Sequence, residues 1–300
     1  KGEAGTTVAL VVRSEGNTEK RTVEVARERI HVETVLGDHR DPDDAWSFLL
    51  DGETRVGYIR LTAFSRDTAR ELRQALEKLK NDNARGLVLD LRFNPGGLLS
   101  AAIEVADLFI SKGRIVSTKG RNSPERTWDA KQNAVFENIP MVVLVNRYSA
   151  SASEIVAACL QDNKRAVIVG ERTWGKGSVQ NVIELEEGAS ALKLTTAAYR
   201  RPSGKNIHRF DGSDENGDWG VLPDDGYELK LDSTELANII QDRRERDIVR
   251  PRRVAAETAD AKTKADAKPS DTATAPPRTV TDRQLELALK HLTAELARAD

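Results

Sequence analysis

The sequence predicts an α/β protein with a parallel-sheet core, and three observations carry that prediction. First, "GLVLDLR" (86–92) is an unbroken apolar strand of the kind covered on both faces of a parallel sheet. Second, the order strand, turn, helix, strand repeats: "MVVLV" (141–145), "NRYSAS", "SEIVAACLQ" (153–161), "AVIVG" (166–170). Third, 300 residues with 39% hydrophobic and 31% charged side chains can bury a substantial core.

The elements follow in order. "TTVALVVR" (6–13) and "EKRTVEVARERI" (19–30) read as two β-branched strands joined across "SEGN". They open the chain directly, without leader architecture, as if it were cut inside a domain. Another strand starts at "RVGYIRL" (55–61). Residues 66–80 place Ala69, Leu72, Leu76 and Leu79 on one helical stripe, with Thr68 and Glu71 at capping-box spacing. "NPGG" turns the chain into a helix over 98–110. After "GKGS" an alternating hairpin is expected, then a surface helix over 234–247. Residues 251–280 are too polar to fold and read as a flexible linker. The segment 281–300 sets Leu285, Leu289, Leu292 and Leu296 on one face, as a docking helix would. Cys159 is the single cysteine, so no intrachain disulfide can form.

Composition excludes several functions. A formal charge of −2 gives no general affinity for nucleic acid or anionic membrane. No run of about 18 apolar residues marks a membrane span. "RRERDIVRPRR" (243–253) holds six arginines, but its interspersed acids predict a solvated helix end. His31, His39, His208 and His291 are scattered, and no HExxH spacing calls for a metal.

Chemistry in an open α/β sheet collects in the turns beyond the carboxyl ends of its strands. Two turns qualify, "FNPGG" (93–97) and "NRYSASAS" (146–153). The first leaves backbone N–H groups free for an oxyanion, or is a plain connection. In the second, Ser149, Ser151 and Ser153 alternate with alanine. Ser151 and Glu154 have capping-box spacing, so Ser151 is either a helix cap or a nucleophile beside the Ala152 amide. A nucleophile needs a base, and Lys176 in "ERTWGKGSVQ" is the candidate, since Ser–Lys pairs are a variant of triad logic. Its pKa must fall from about 10.4 to roughly 7–8, which burial near Trp174 and the 166–170 strand would achieve. In an extended 176–180, Gln180 shares a face with Lys176 and can hold the amine. "GERTWGK" also matches the start of a phosphate-binding loop, but Gly177 follows the lysine and a strand, not a helix, comes next.

Together "GLVLDLRFNPGGLL", "LVNRYSASASEIVAACLQD" and "VGERTWGKGSVQ" resemble the carboxyl-terminal processing peptidases, the tail-specific serine proteases with a Ser–Lys pair. "RVGYIRLTAF" and "AAYRRPSGKNI" resemble that family too. The resemblance covers residues 1 to about 250. It implies a crotonase/ClpP-like protease core with a mixed sheet over 37–250. Before it, residues 1–36 resemble the last strands of a truncated PDZ-like domain. It implies Ser151 as nucleophile, Lys176 as base, Gln180 as the orienting residue, and oxyanion donors at Ala152 and at Gly97 or Gly96. Asp162 matches a position often acidic in the family, and a structural role is expected. The implied enzyme needs no cofactor and cuts proteins with apolar C-terminal tails, the substrate added as a strand along 192–200. The implied setting is the bacterial cell envelope or periplasm, with possible peripheral envelope association; a plastid lumen is the eukaryotic counterpart. The alternative is a non-catalytic module that binds peptide C-termini. The segment 208–224 is longer than the usual connection in such a protein.

Overall fold

A computed structural model describes residues 2–299 except 15, 42, 51–53, 122–123, 133, 216 and 249–279. The chain divides into two compact units, Lys1–Glu33 and Thr34–Asp300. The smaller holds β1 (Thr7–Val12) and β2 (Arg21–Ala26), an antiparallel pair in register from Thr7 with Ala26 to Val12 with Arg21.

The expected boundary at residue 36 moves forward, because residues 34–36 belong to the larger unit. There β3 (Val35–Leu36) pairs with β6 (Val56–Leu61). A small ladder of β4 (His39–Arg40) and β5 (Trp46–Ser47) lies between them in sequence. Helix α1 (Thr68–Asn81) follows β6. Its expected capping box does not form. Thr68 Oγ1 instead meets Thr34 Oγ1 at 2.7 Å, and Glu71 Oε2 accepts the Thr34 amide at 3.0 Å.

The main sheet continues with β7 (Gly86–Asp90), β10 (Met141–Val145) and β11 (Val167–Gly170), in the order β11-β10-β7-β6-β3. The first four of these strands are parallel, and β3 runs against β6. Helix α2 (Leu99–Asp107) links β7 to β8 (Arg114–Lys119) and β9 (Arg126–Asp129); α3 (Ala152–Asp162) links β10 to β11. The hairpin β12 (Ser178–Leu185) and β13 (Ser190–Arg200) completes a second, antiparallel sheet, β12-β13-β8-β9. Helices α4 (Ser233–Asp247) and α5 (Arg283–Ala299) end the described chain.

Apolar residues run unbroken along β7 and β10 because both faces of the sheet are covered. Leu87, Leu89, Val143 and Val145 face the core with α1, α2 and α3, which also buries Cys159. Val88, Val142 and Leu144 face Leu285, Ala288 and Leu292 of α5. Leu289 and Leu296 of the same helix lie at the margin of this contact. The linker expected over 251–280 falls outside the described residues, apart from Val280, which packs near Leu236 and Ile239. No helix among the described residues is long and apolar enough to cross a membrane.

The arginine run departs from expectation, because two of its members turn inward. Arg243 pairs with Asp90 and Arg246 with Asp38, all four side chains largely buried. Beside them Arg92, with no side-chain exposure, donates to Asp90 at 2.7 Å and takes both oxygens of Asp282, at 2.9 and 2.7 Å. A buried cation needs such partners, since an unpaired one would cost several kcal/mol. Burial alone would raise the Asp90 and Asp282 pKa values, but the neighbouring guanidiniums outweigh it and hold both carboxyls below the ordinary range. Depressed carboxyl pKa values contribute stability above the unfolded value of about 3.9, and that contribution is lost as the pH falls below it. Acid should therefore loosen α5. The melting temperature is expected to fall steeply below about pH 4, and Asp282→Asn should flatten that slope in calorimetric scans at stepped pH.

Candidate active site

Three neighbouring parallel strands bring the site together. The ends of β7, β10 and β11 release the turns 91–98, 146–151 and 171–177 side by side. Hydrogen bonds stitch these turns to one another. The Ala150 amide donates to Asn94 O (3.0 Å) and the Trp174 amide to Ser149 O (3.0 Å).

The three serines have separate fates. Ser149 Oγ donates to Leu91 O (2.8 Å) and accepts the Asn146 amide (3.0 Å). Ser153 Oγ donates to Asn94 O (2.9 Å). Both are fully buried and tie the serine turn to the glycine turn. Ser151 alone is part-exposed. It sits at the N-cap of α3 with φ 56° and ψ −113°. Such a backbone costs a non-glycine residue about 1–3 kcal/mol and is typical of sites that aim a reactive side chain. The capping-box relation to Glu154 is present, but its hydroxyl half falls short of a hydrogen bond: the Glu154 amide bonds the Ser151 carbonyl instead, at 2.9 Å.

The glycine turn lies against this serine. A Cβ on Gly96, whose φ is +98°, would fall 2.8 Å from Ser151 Cβ and 2.9 Å from the Ala152 nitrogen. Of the two glycines expected as donors, Gly96 is already engaged, since its N–H donates to Asn94 Oδ1 at 2.8 Å. The amides of Gly97 and Ala152 donate to no described residue. The Ala152 amide opens α3, at the positive end of its dipole.

Glu154 is the residue that sequence reasoning underestimated. Its buried carboxylate accepts four donors: the Ser151 amide (2.8 Å), the Lys176 amide (2.8 Å), the Gly175 amide (2.6 Å) and the Thr173 hydroxyl (2.5 Å). The first two share the oxygen Oε2, so one atom fixes the serine turn against the lysine turn. Burial pushes the Glu154 pKa up, and the four hydrogen bonds restrain that rise. Its spacing from Ser151 revealed the cap. Nothing local in the sequence revealed the contacts to 173–176.

The lysine itself departs from expectation. Its backbone is fixed, but its side chain and that of Gln180 are exposed, and no hydrogen bond joins either to Ser151. The dry amine expected near Trp174 is absent in this conformation, because Trp174 itself turns 58% of its surface to solvent. Asp162 behaves as expected of a structural residue. It lies about 16 Å along α3 from Ser151, gripping Arg201 (2.6 Å) and the Ser203 amide (2.9 Å). The edge expected to take a substrate strand is shorter than 192–200, since Ala198, Tyr199 and Arg200 already pair with β8. Residues 190–195 have β12 on one side and no other strand among the described residues.

A strained serine at a helix N-terminus and a lysine turn tied to it through one carboxylate thus stand together at the carboxyl ends of the parallel strands. Family comparison specifies this further: residues 55–224 match peptidase family S41, and the chain belongs to that family. It is 38% identical over 263 residues to a carboxy-terminal-processing protease of Bartonella bacilliformis, covering 82% of this chain and 55% of that protein. It is also 38% identical over 231 residues to a carboxyl-terminal-processing protease of Synechocystis sp., covering 77% of this chain and 50% of that one. Among solved structures, a photosystem II D1 C-terminal processing protease aligns with TM-score 0.54 and 33% identity, over 77% of this chain and 57% of that structure. The chain thus spans about half the length of the curated relatives it matches.

Proposed function

We propose that this chain carries the catalytic core of a serine endopeptidase that cuts proteins near their C-termini. The observation that supports this best is the Glu154 clamp, which sets the Ser151 and Lys176 backbones on one carboxylate oxygen. In the proposed reaction, the neutral Lys176 amine takes the Ser151 proton as Oγ attacks the peptide carbonyl. The Ala152 and Gly97 amides hold the oxyanion. Lysine then protonates the leaving amine, an acyl-enzyme ester remains, and water activated by the same lysine releases it. Gln180 orients the amine.

The exposed lysine assigns the substrate a part in this scheme. A bound peptide would have to cover the amine and exclude water from it, while the free edge of β13 at 190–195 is open to an added strand. Leu98, Tyr148 and Trp174 follow or precede the site residues by one to three positions, and all three expose apolar surface. They suit a substrate with apolar side chains beside the cut. The β1–β2 pair fits the reading of residues 1–36 as PDZ-like strands before a crotonase/ClpP-like core. Curated relatives include a chloroplastic processing peptidase and bacterial ones. An envelope or periplasmic setting fits that range.

Single-turnover digestion of a protein with an unstructured apolar tail tests the reading. After acid quench, mass spectrometry should find the N-terminal product esterified to Ser151. Tail binding without cleavage would make the groove a non-catalytic module, and an ester elsewhere would displace Ser151.

A further inference from the structure

The segment 208–224, longer than a connection requires, wraps the turn that carries Lys176. Trp219, 9% exposed, is stacked between two guanidiniums, with Arg172 3.7 Å and Arg209 4.3 Å from its ring centroid. Arg172 satisfies itself on carbonyls, Trp219 O at 3.1 Å together with Glu215 O and Gly217 O. The Trp219 indole N–H donates to Asp214 O at 2.9 Å, which closes the segment on itself.

Backbone bonds then couple it to the lysine turn. The Arg209 amide donates to Gly175 O (2.8 Å), the Val221 amide to Thr173 Oγ1 (2.8 Å), and the Thr173 amide to Val221 O (3.1 Å). A Cβ on Gly175 would lie 2.8 Å from Arg209 Cβ and 2.9 Å from Trp219 Cε3, so the stack rests directly on the residue before Lys176. Burial first, and then the Arg209 charge, push the Arg172 pKa down, as expected of two cations facing each other across one ring. Stacking on an indole is what makes that arrangement tolerable.

We infer that Trp219, clasped by Arg172 and Arg209, is a positioning residue for the Lys176 turn, buttressing it alongside Glu154. Glu154 holds the amides of Gly175 and Lys176; the 208–224 segment holds the Gly175 carbonyl and the Thr173 hydroxyl. The two sets of bonds meet at the Thr173 hydroxyl, which also donates to Glu154, and the lysine stem extends from a fixed root. Trp219 touches no reacting atom. It acts through the geometry of the base, so its loss should appear in the chemical step.

The inference rests on the proposed Ser–Lys reaction, and steady-state kinetics of the full protein on an apolar-tailed peptide can separate the two. Trp219→Ala is expected to lower kcat by about 10²-fold, the cost of a misplacement near 1 Å, with KM within a factor of about two. Trp219→Phe keeps a stacking ring and should recover most of that loss. Arg209→Met, at an exposed side chain, should lower kcat in the same sense by a smaller factor. An unchanged kcat in folded Trp219→Ala, a loss confined to KM, or a Phe variant no better than Ala would overturn the inference. If Trp219→Ala fails to fold, an unchanged kcat in Arg209→Met overturns it. Retained turnover in Ser151→Ala or Lys176→Ala would instead remove the underlying reaction, whatever Trp219 does.

Discussion

Replacing Ser151 with alanine lowers kcat/KM on an apolar-tailed substrate by about six orders of magnitude, the scale seen when a serine protease loses its nucleophile. Lys176→Ala should be nearly as severe, because members of a catalytic unit do not contribute additively. Lys176→Arg is the informative companion. A guanidinium remains charged at any working pH and cannot accept the hydroxyl proton, so this variant keeps the cation and loses the base. It should be as inactive as Lys176→Ala. Gln180→Ala leaves the base in place and should cost far less. Glu154 holds the Ser151 amide, which alanine retains, so the alanine variant should fold as the parent does, with the melting temperature as control. Substantial turnover in Lys176→Arg would mean the lysine supplies charge rather than proton transfer, and the mechanism would need another base.

How much of this was legible in the sequence depended on the range of the interaction. The runs 86–92 and 141–145 announced buried parallel strands because every apolar side chain along them meets one of two apolar layers. The turns that follow were legible for the same reason, since they begin where the apolar run stops. Partnerships across the fold were not. Arg243 and Arg246 read as part of a solvated charge run, yet their acids, Asp90 and Asp38, lie 153 and 208 positions away. Thr68 and Glu71 had the spacing of a local cap, but Thr34 competes for both side chains and wins. The exposed lysine shows a third kind of limit. Apolar neighbours in sequence promised burial, and Trp174 points outward instead.

Glu154 combines these two ranges, and its removal is expected to have the second-largest effect. The carboxylate faces three backbone N–H groups and one hydroxyl, and all four donate to it. Glu154→Gln preserves the shape but replaces one acceptor oxygen with an NH₂ group. With that group toward Oε2's place, it opposes the Ser151 and Lys176 amides. Flipped, it opposes the Gly175 amide, since only the Thr173 hydroxyl can rotate away. No orientation satisfies every donor. At least one buried amide is left unpaired at about 1–3 kcal/mol, which for a unit of this size lowers the melting temperature by several degrees. The larger effect should be on rate. Once Oε2 no longer binds both amides, the serine and lysine turns are free to separate, and a shift near 1 Å costs about 10²-fold in kcat. Glu154→Ala removes all four acceptor contacts and should be worse on both measures. Calorimetry with kcat on the same preparations distinguishes the outcomes. A Gln variant that melts lower yet keeps full kcat would show that the carboxylate holds the fold without setting the distance between hydroxyl and amine.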